Sequence, residues 1–245
     1  MSEERVDSIF LDGFESGDLS AWSSAQTDGG DLMASQSADY WGDYGLAASI
    51  NDTNAIYVQD DTPDGEGTFH ARFYINPDGL NMGAADIMPI FQGLDSGGSP
   101  VIKVEITNPS GSAFQVRVNV LEGSTWVPGS WQSLSGGWTA IEVYYKNNHE
   151  LGFSKLYING NQTGSVSNIN NPDYQLHSVR LGAVSIPSGT TSGVLYFDDY
   201  ESRRYSRIGL LPERGAEDPE AVLEAGCAER VYSYQRSQPF AVQQV

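Results

Sequence analysis

Carboxylates are the reactive groups this chain holds in excess, with 32 Asp and Glu against 13 Lys and Arg in 245 residues and a formal net charge of -19. Several crowd together. Glu15 stands between Asp12 and Asp18, Asp198 adjoins Asp199, and Asp60-Asp61-Thr62-Pro63-Asp64-Gly65-Glu66 places four acids in one short run. Calcium takes roughly six to eight hard oxygen ligands, so carboxylates with turn carbonyls have the chemistry to hold it. The simpler reading of these acids is solvated turn groups, or acceptors for backbone amides. The Asp60–Glu66 run lacks the spacing of an EF-hand and reads first as a solvated hairpin loop. Paired carboxylates also cleave glycosidic bonds, which with retention requires them about 5 to 5.5 Å apart. Glu105 and Glu142 lie on different segments and could meet only as sheet neighbours. No Gly-x-Ser-x-Gly, His-Glu-x-x-His or phosphate-loop pattern occurs. His70, His149 and His177 have no ligand spacing, and Cys227 sits near Glu224 and Glu229, which disfavour a thiolate.

A second chemistry is sugar recognition, which needs polar groups for hydroxyls and a flat ring for the apolar face of a pyranose. If the apolar members of the alternating segments point inward, then His70, Arg72, Tyr74, Lys103, Glu105, Gln115, Arg117, Asn119, Glu142 and Tyr144 project from one sheet. Such a mixture suits a saccharide. It equally suits cross-strand ion pairs on a wet sheet, each contributing up to roughly 1 kcal/mol. Trp126 and Trp131 bracket Val127-Pro-Gly-Ser130, and Tyr40-Trp41-Gly-Asp-Tyr44 crowds three aromatics together. These rings read either as ligand platforms or as lids folded over the core.

The elements that must carry these groups are strands. Phe69, Ala71, Phe73 and Ile75 alternate with polar residues up to Asn76-Pro-Asp-Gly79, and Ile102, Val104 and Ile106 do so up to Asn108-Pro-Ser-Gly111. Phe114 to Val120, Trp138 to Tyr145, Val179 to Val184 and Val194 to Glu201 follow the same pattern. Lys155 to Ile158 is closed by Asn159-Gly160, a hairpin dipeptide. With strands expected near Ser8 to Phe14, Ala47 and Ile56, at least about ten strands result, which two stacked antiparallel sheets accommodate better than one. Past Tyr205 the alternation ends, leaving an acidic, Pro-bearing linker with room for a helical turn at Ala221 to Ala225. The charge argues against nucleic acid and anionic lipid as partners. No apolar run is long enough to span a membrane, and Met1-Ser-Glu-Glu-Arg5 lacks the features of a signal peptide.

Asp12-Gly-Phe-Glu-Ser-Gly-Asp-Leu-Ser-Ala-Trp22, Trp138-Thr-Ala-Ile-Glu-Val143 with Leu156-Tyr-Ile-Asn-Gly160, and Val179-Arg-Leu-Gly182 followed by Tyr196-Phe-Asp-Asp-Tyr-Glu-Ser202 resemble bacterial modules of the concanavalin A-like and laminin-G-like superfamily. The resemblance covers residues 9 to 208 and implies a jelly-roll sandwich, a non-catalytic part of a long extracellular protein, binding carbohydrate or calcium. Related modules carry a structural calcium between an opening Phe-Glu and a closing hydrophobic-Asp pair, matched here by Phe14-Glu15 and Phe197-Asp198. Because the first and last strands of a jelly roll often lie side by side, Glu15 is expected near Asp198 or Asp199, only one of which can face the ion. The glutamate pair of laminarinase-type enzymes of this superfamily is missing. Tyr232-Ser-Tyr234 and Pro239-Phe-Ala-Val242 resemble the opening of an RHS/YD-type repeat array, with Phe240 in place of histidine.

These readings divide the chain into a leader at 1–8, an all-β antiparallel sandwich at 9–208, an acidic linker at 209–230 and the possible start of an RHS-type repeat at 231–245. The leading expectation is a recognition module binding glycan or cell-surface polysaccharide through Arg72, Tyr74, Glu105, Arg117, Glu142, Tyr144, Trp126 and Trp131. A structural calcium is expected on Glu15, Asp198 and Asp199. The alternative is a ligand-free spacer or adhesin-like element of a large surface polypeptide, with a glycoside hydrolase third.

Overall fold

The computed structural model describes residues 5–187 and 189–212; the expected helical turn at Ala221 to Ala225 and the RHS-like tail lie outside them. In chain order the strands begin with β1 (Ser8–Asp12), β2 (Ser24–Gln26), β3 (Leu32–Ser35), β4 (Gly45–Ile50), β5 (Ile56–Asp60) and β6 (Thr68–Asn76). Then come β7 (Leu80–Asn81), β8 (Ile87–Leu94), β9 (Pro100–Thr107), β10 (Gln115–Glu122), β11 (Thr125–Pro128) and β12 (Gln132–Ser133). The last are β13 (Thr139–Lys146), β14 (Gly152–Ile158), β15 (Asn161–Ile169), β16 (Ser178–Ala183) and β17 (Ser192–Arg203).

Two sheets form, and every pairing in them is antiparallel. The first runs β15-β14-β13-β6-β17-β4-β3, with β1 and β7 also on β17; the second runs β11-β10-β9-β8-β16-β5-β2, with β12 on β10. Together they make the expected two-sheet jelly-roll sandwich. The period-two segments explain it directly, since Phe69, Ala71, Phe73 and Ile75 of β6 and Val116, Val118 and Val120 of β10 are all buried in one core. Phe73 and Phe91 meet across the two sheets with ring centroids 5.7 Å apart. Asn159 and Gly160 both take positive φ, 47° and 77°, as the two-residue β14–β15 hairpin requires.

The opening and closing strands do lie side by side, with Asp12 opposite Tyr200. The Asp12–Trp22 motif closes that corner. Asp12 accepts from the Phe14 amide at 2.9 Å and from Trp22 Nε1 at 2.8 Å, and Trp22 stacks on Phe14 at 6.0 Å. Among the described residues no helix is long and apolar enough to cross a membrane.

Candidate functional site

Alternation assigns a side chain to the inside or outside of a strand, but not to a sheet. β6 and β13 belong to the first sheet, β9 and β10 to the second. The single polar face expected from the sequence is therefore two faces on opposite sides of the sandwich. His70, Arg72, Tyr74, Glu142 and Tyr144 are on one, and Lys103, Glu105, Gln115, Arg117 and Asn119 on the other. Glu105 and Glu142 consequently cannot act as a carboxylate pair.

The first face is largely covered by its own chain. After β17 the backbone turns back across it, and Glu142 accepts from the amides of Ile208 at 2.9 Å and Gly209 at 3.2 Å and from Arg207 Nε at 3.3 Å. Burial alone would favour the neutral acid at Glu142, but His70, these two amides and the Arg207 charge outweigh it and hold the carboxyl below the usual range. His70 Nδ1 stands 3.7 Å from Glu142 Oε1, an ion-pair separation rather than a hydrogen bond. Arg72 reaches the carbonyls of Asp199 and Gly209 and the Glu201 carboxylate. Tyr74 lies under Tyr40, centroids 4.0 Å apart. Arg72, Tyr74 and Glu142 are thus buried and unavailable to a ligand, contrary to expectation. Tyr144 stays half-exposed, stacked on His70 at 4.0 Å. Tyr40 of the crowded aromatic loop is likewise built into the fold.

The second face is open and ordered by register. Gln59 of β5, Arg180 of β16, Gln92 of β8, Lys103 of β9, Asn119 of β10 and Pro128 of β11 are successive cross-strand partners, so one row of mostly polar groups crosses six strands. Beside Lys103 in the next outward position of β9 is Glu105, opposite Arg117. Glu105 is 5% exposed and takes Lys103 Nζ at 2.6 Å and Arg117 Nε at 2.8 Å. Burial opposes its ionisation, but hydrogen bonds and charge from Lys103 and Arg117 prevail and lower its pKa.

Each cation also lies over an aromatic ring. Lys103 Nζ is 4.5 Å from the Trp126 centroid, the Arg117 guanidinium 4.3 Å from Trp131 and the Arg180 guanidinium 4.6 Å from Tyr57. Trp126 and Trp131 therefore sit on the outer face of the second sheet, half-buried, and are not lids over the core. Asn119 is 2% exposed and its Nδ2 has no hydrogen-bond partner. Four expected ligand-binding residues, Glu105, Arg117, Trp126 and Trp131, are thus brought together here. Arg180, Tyr57 and Gln92 join them unannounced, although Val179-Arg180-Leu181 and Ile56-Tyr57-Val58 carry the same outward signal.

The remaining acids bind the chain itself. Glu15 accepts from the amides of Asp43 and Tyr44 at 3.0 and 3.2 Å, while Asp198 Oδ2 accepts from those of Tyr40 and Trp41 at 2.7 and 2.9 Å. Both clamp one loop. Asp198 and Asp199 are buried, and burial followed by the Asp199 charge pushes Asp198 up to about 8. Among the described residues no three Asp, Glu, His or Cys side chains converge as a metal site. The Asp60–Glu66 run is not a solvated loop throughout, because Asp60 and Glu66 are buried. Asp60 is held by Thr62, and Glu66 pairs with Arg5 at 2.7 Å and Arg204 at 3.1 Å.

No protein-family model matches the chain, and no curated protein matches it in sequence. Solved structures do match. Domain 4 of AbnA, a GH43 extracellular arabinanase from Geobacillus stearothermophilus solved with arabinotriose, is similar over 84% of this chain and 96% of its own, with a TM-score of 0.55 and 18% identity. The binding domain of Paraclostridial Mosquitocidal Protein 1 is similar over 82% of this chain and 50% of its own, with a TM-score of 0.57 and 14% identity. The receptor-binding domain of a botulinum neurotoxin C/D mosaic serotype matches at 0.50 and 11% identity, over 80% of this chain and 45% of its own. The chain thus spans about half or less of the latter two chains. At these identities the likeness concerns the fold.

Proposed function

We propose that this chain is a non-catalytic carbohydrate-recognition module, and that its binding surface is the outer face of the second sheet. The observation that carries this reading is the Trp126, Lys103, Glu105, Arg117, Trp131 array, in which two half-exposed indoles flank a buried carboxylate tied to two cations. The ion pairs and rings fix one another, so the indoles are presented without further ordering cost. A pyranose or furanose ring stacks its C–H face on an indole, and its hydroxyls meet Gln92 and the rims of Lys103 and Arg117. The sandwich it shares with an arabinotriose-bound domain supports the same reading.

The spacer reading keeps one observation in its favour, which is that Lys103, Glu105 and Arg117 already satisfy one another. A glycan array read with calcium and again with EDTA separates the two, and the two conditions also test the calcium expected on Glu15, Asp198 and Asp199. Specific hits are expected. Against the best of them, Trp126→Ala and Trp131→Ala should each weaken binding by about tenfold or more, about 1.4 kcal/mol, with an unchanged melting temperature. Tyr144→Ala, on the opposite face, should bind as the parent does. A silent array, or tryptophan variants that bind normally, defeats the assignment.

A further inference from the structure

We infer that the chain has a second saccharide site, independent of the sheet face, in a cleft at one end of the sandwich that takes a single neutral sugar residue. The cleft has a volume of about 410 Å³, within the range of small-molecule sites, and lies between three turns. Two are the Asn-Pro-x-Gly tetrads that end β6 and β9, Asn76–Gly79 and Asn108–Gly111, and the third joins β12 to β13 around Ser135.

The two tetrads share a sequence pattern but treat their asparagines differently. Asn76 Oδ1 accepts from the Asp78 amide at 3.1 Å and stabilises its own turn. Asn108, in the same position of its tetrad, lines the cleft, is 7% exposed, and its Oδ1 has no hydrogen-bond partner. A buried carbonyl oxygen left without a donor is costly, and when the Asn108 amide turns this enclosed oxygen toward the cleft a sugar hydroxyl supplies the missing donor.

The rest of the lining fits the same ligand. The partly exposed Phe114 and Met82 offer an apolar contact for the C–H face of a ring, while Ser112, Ser135 and Asp78 offer donors and acceptors. One oxygen of Asp78 is taken by the Gly137 amide at 3.0 Å. No Lys or Arg lines the cleft, and Asp78 is its one carboxylate. An anionic ligand finds no counter-charge there, and a divalent cation finds too few oxygens of the right charge. The mostly polar lining, with one carboxylate and two serines, suits an uncharged polyol.

The test is an amide NMR titration of the protein with neutral methyl glycosides: glucoside, galactoside, mannoside, arabinofuranoside and N-acetylglucosaminide. At least one should shift amides of residues 78–82, 108–114 and 134–137 in a saturable way. Asn108→Leu, which removes the acceptor, and Ser112→Trp, which fills the cleft from an exposed position, should each abolish those shifts while the remaining spectrum stays folded. Trp131→Ala should leave them in place. The inference is overturned if no glycoside shifts the cleft amides, or if the shifts survive both substitutions. Loss of array binding in the Trp126 and Trp131 variants bears on the sheet face alone, so either site can fail without the other.

Discussion

Glu105 is the residue on which the sheet-face array turns, because two cations and, through them, two indoles take their positions from it. Its carboxyl lies below the usual glutamate value of 4.5 in the folded state, since Lys103 and Arg117 outweigh the cost of burial. A depressed folded-state value means that the carboxylate contributes stability above the ordinary value, and that this contribution is lost as pH falls through the folded one. Glu105→Gln keeps the shape and removes the charge. It should lower stability by about 1 to 3 kcal/mol near neutral pH, the range of charged hydrogen bonds. Urea unfolding at about pH 7 and at an acid pH below the ordinary glutamate value checks this, because the gap between parent and variant should narrow as pH falls toward the folded-state value. A gap of equal size at both values would mean that packing, not charge, holds the array. Glycan affinity should fall in the same variant, since Lys103 and Arg117, which lie against Trp126 and Trp131, lose the carboxylate that positions them.

At the scale of elements, the strands that were legible are those with one polar side. β6, β9, β10 and β13 alternate because one face meets the core and the other water or polar chain. β8 is different, since Ile87-Met88-Pro89-Ile90-Phe91 is nearly continuous apolar sequence broken by a proline, and it does not announce a strand. The structure explains the proline by a register shift between Pro89 and Phe91, where the ladder makes no demand on a missing N–H. β15 is polar and exposed along most of its length, and is legible only through the Asn159-Gly160 turn that folds it onto β14. The site was half legible for a related reason. Periodicity gives the outward direction of Glu105 and Glu142 alike, but strand order decides that they face opposite ways, and strand order depends on contacts distant in sequence. Gly182 shows how closely such an order is held. It lies in β16 at φ 139°, and a Cβ there would stand 2.5 Å from the Ile56 carbonyl oxygen and 2.8 Å from Tyr57 Cα. Gly182→Ala must strain the backbone or push β5 away, so it should destabilise by roughly 2 kcal/mol. It should also displace Tyr57 from Arg180. Denaturant melts measure the first effect, and an unchanged midpoint would show that the β5–β16 pairing is looser than this register implies.

The sandwich is clasped where the segments flanking its first and last strands meet. Arg204 donates to the carbonyls of Val6 and Ser8 at 2.6 and 3.1 Å and shares Glu66 with Arg5, while Asp7 accepts from the amides of Tyr205 and Ser206 at 2.7 and 3.2 Å. Beyond this clasp, Arg207 to Gly209 supply the donors that keep Glu142 ionised beneath them. The last strand ends at Arg203, so secondary structure alone would permit the sandwich to be cut there. The side-chain contacts forbid it. A fragment ending at Arg203 loses the Arg204 clasp, including its bond to Glu66, the contacts of residues 205 and 206 with Asp7, and all three donors to Glu142, which is then uncovered to water. A hydrogen bond contributes about 0.5 to 1.5 kcal/mol net, and a domain of this size loses roughly 2 to 4 °C in melting temperature per kcal/mol. The fragment ending at Leu210 is therefore expected to melt with the full chain, and the fragment ending at Arg203 several degrees lower. Glu142→Gln in the longer fragment should reproduce part of that loss, because the amides of Ile208 and Gly209 would then meet a neutral side chain. Equal melting of the two fragments would mean that the strap over the first sheet contributes nothing to the fold. The face beneath it, with Arg72 and Glu142, would then be free to open to a ligand after all.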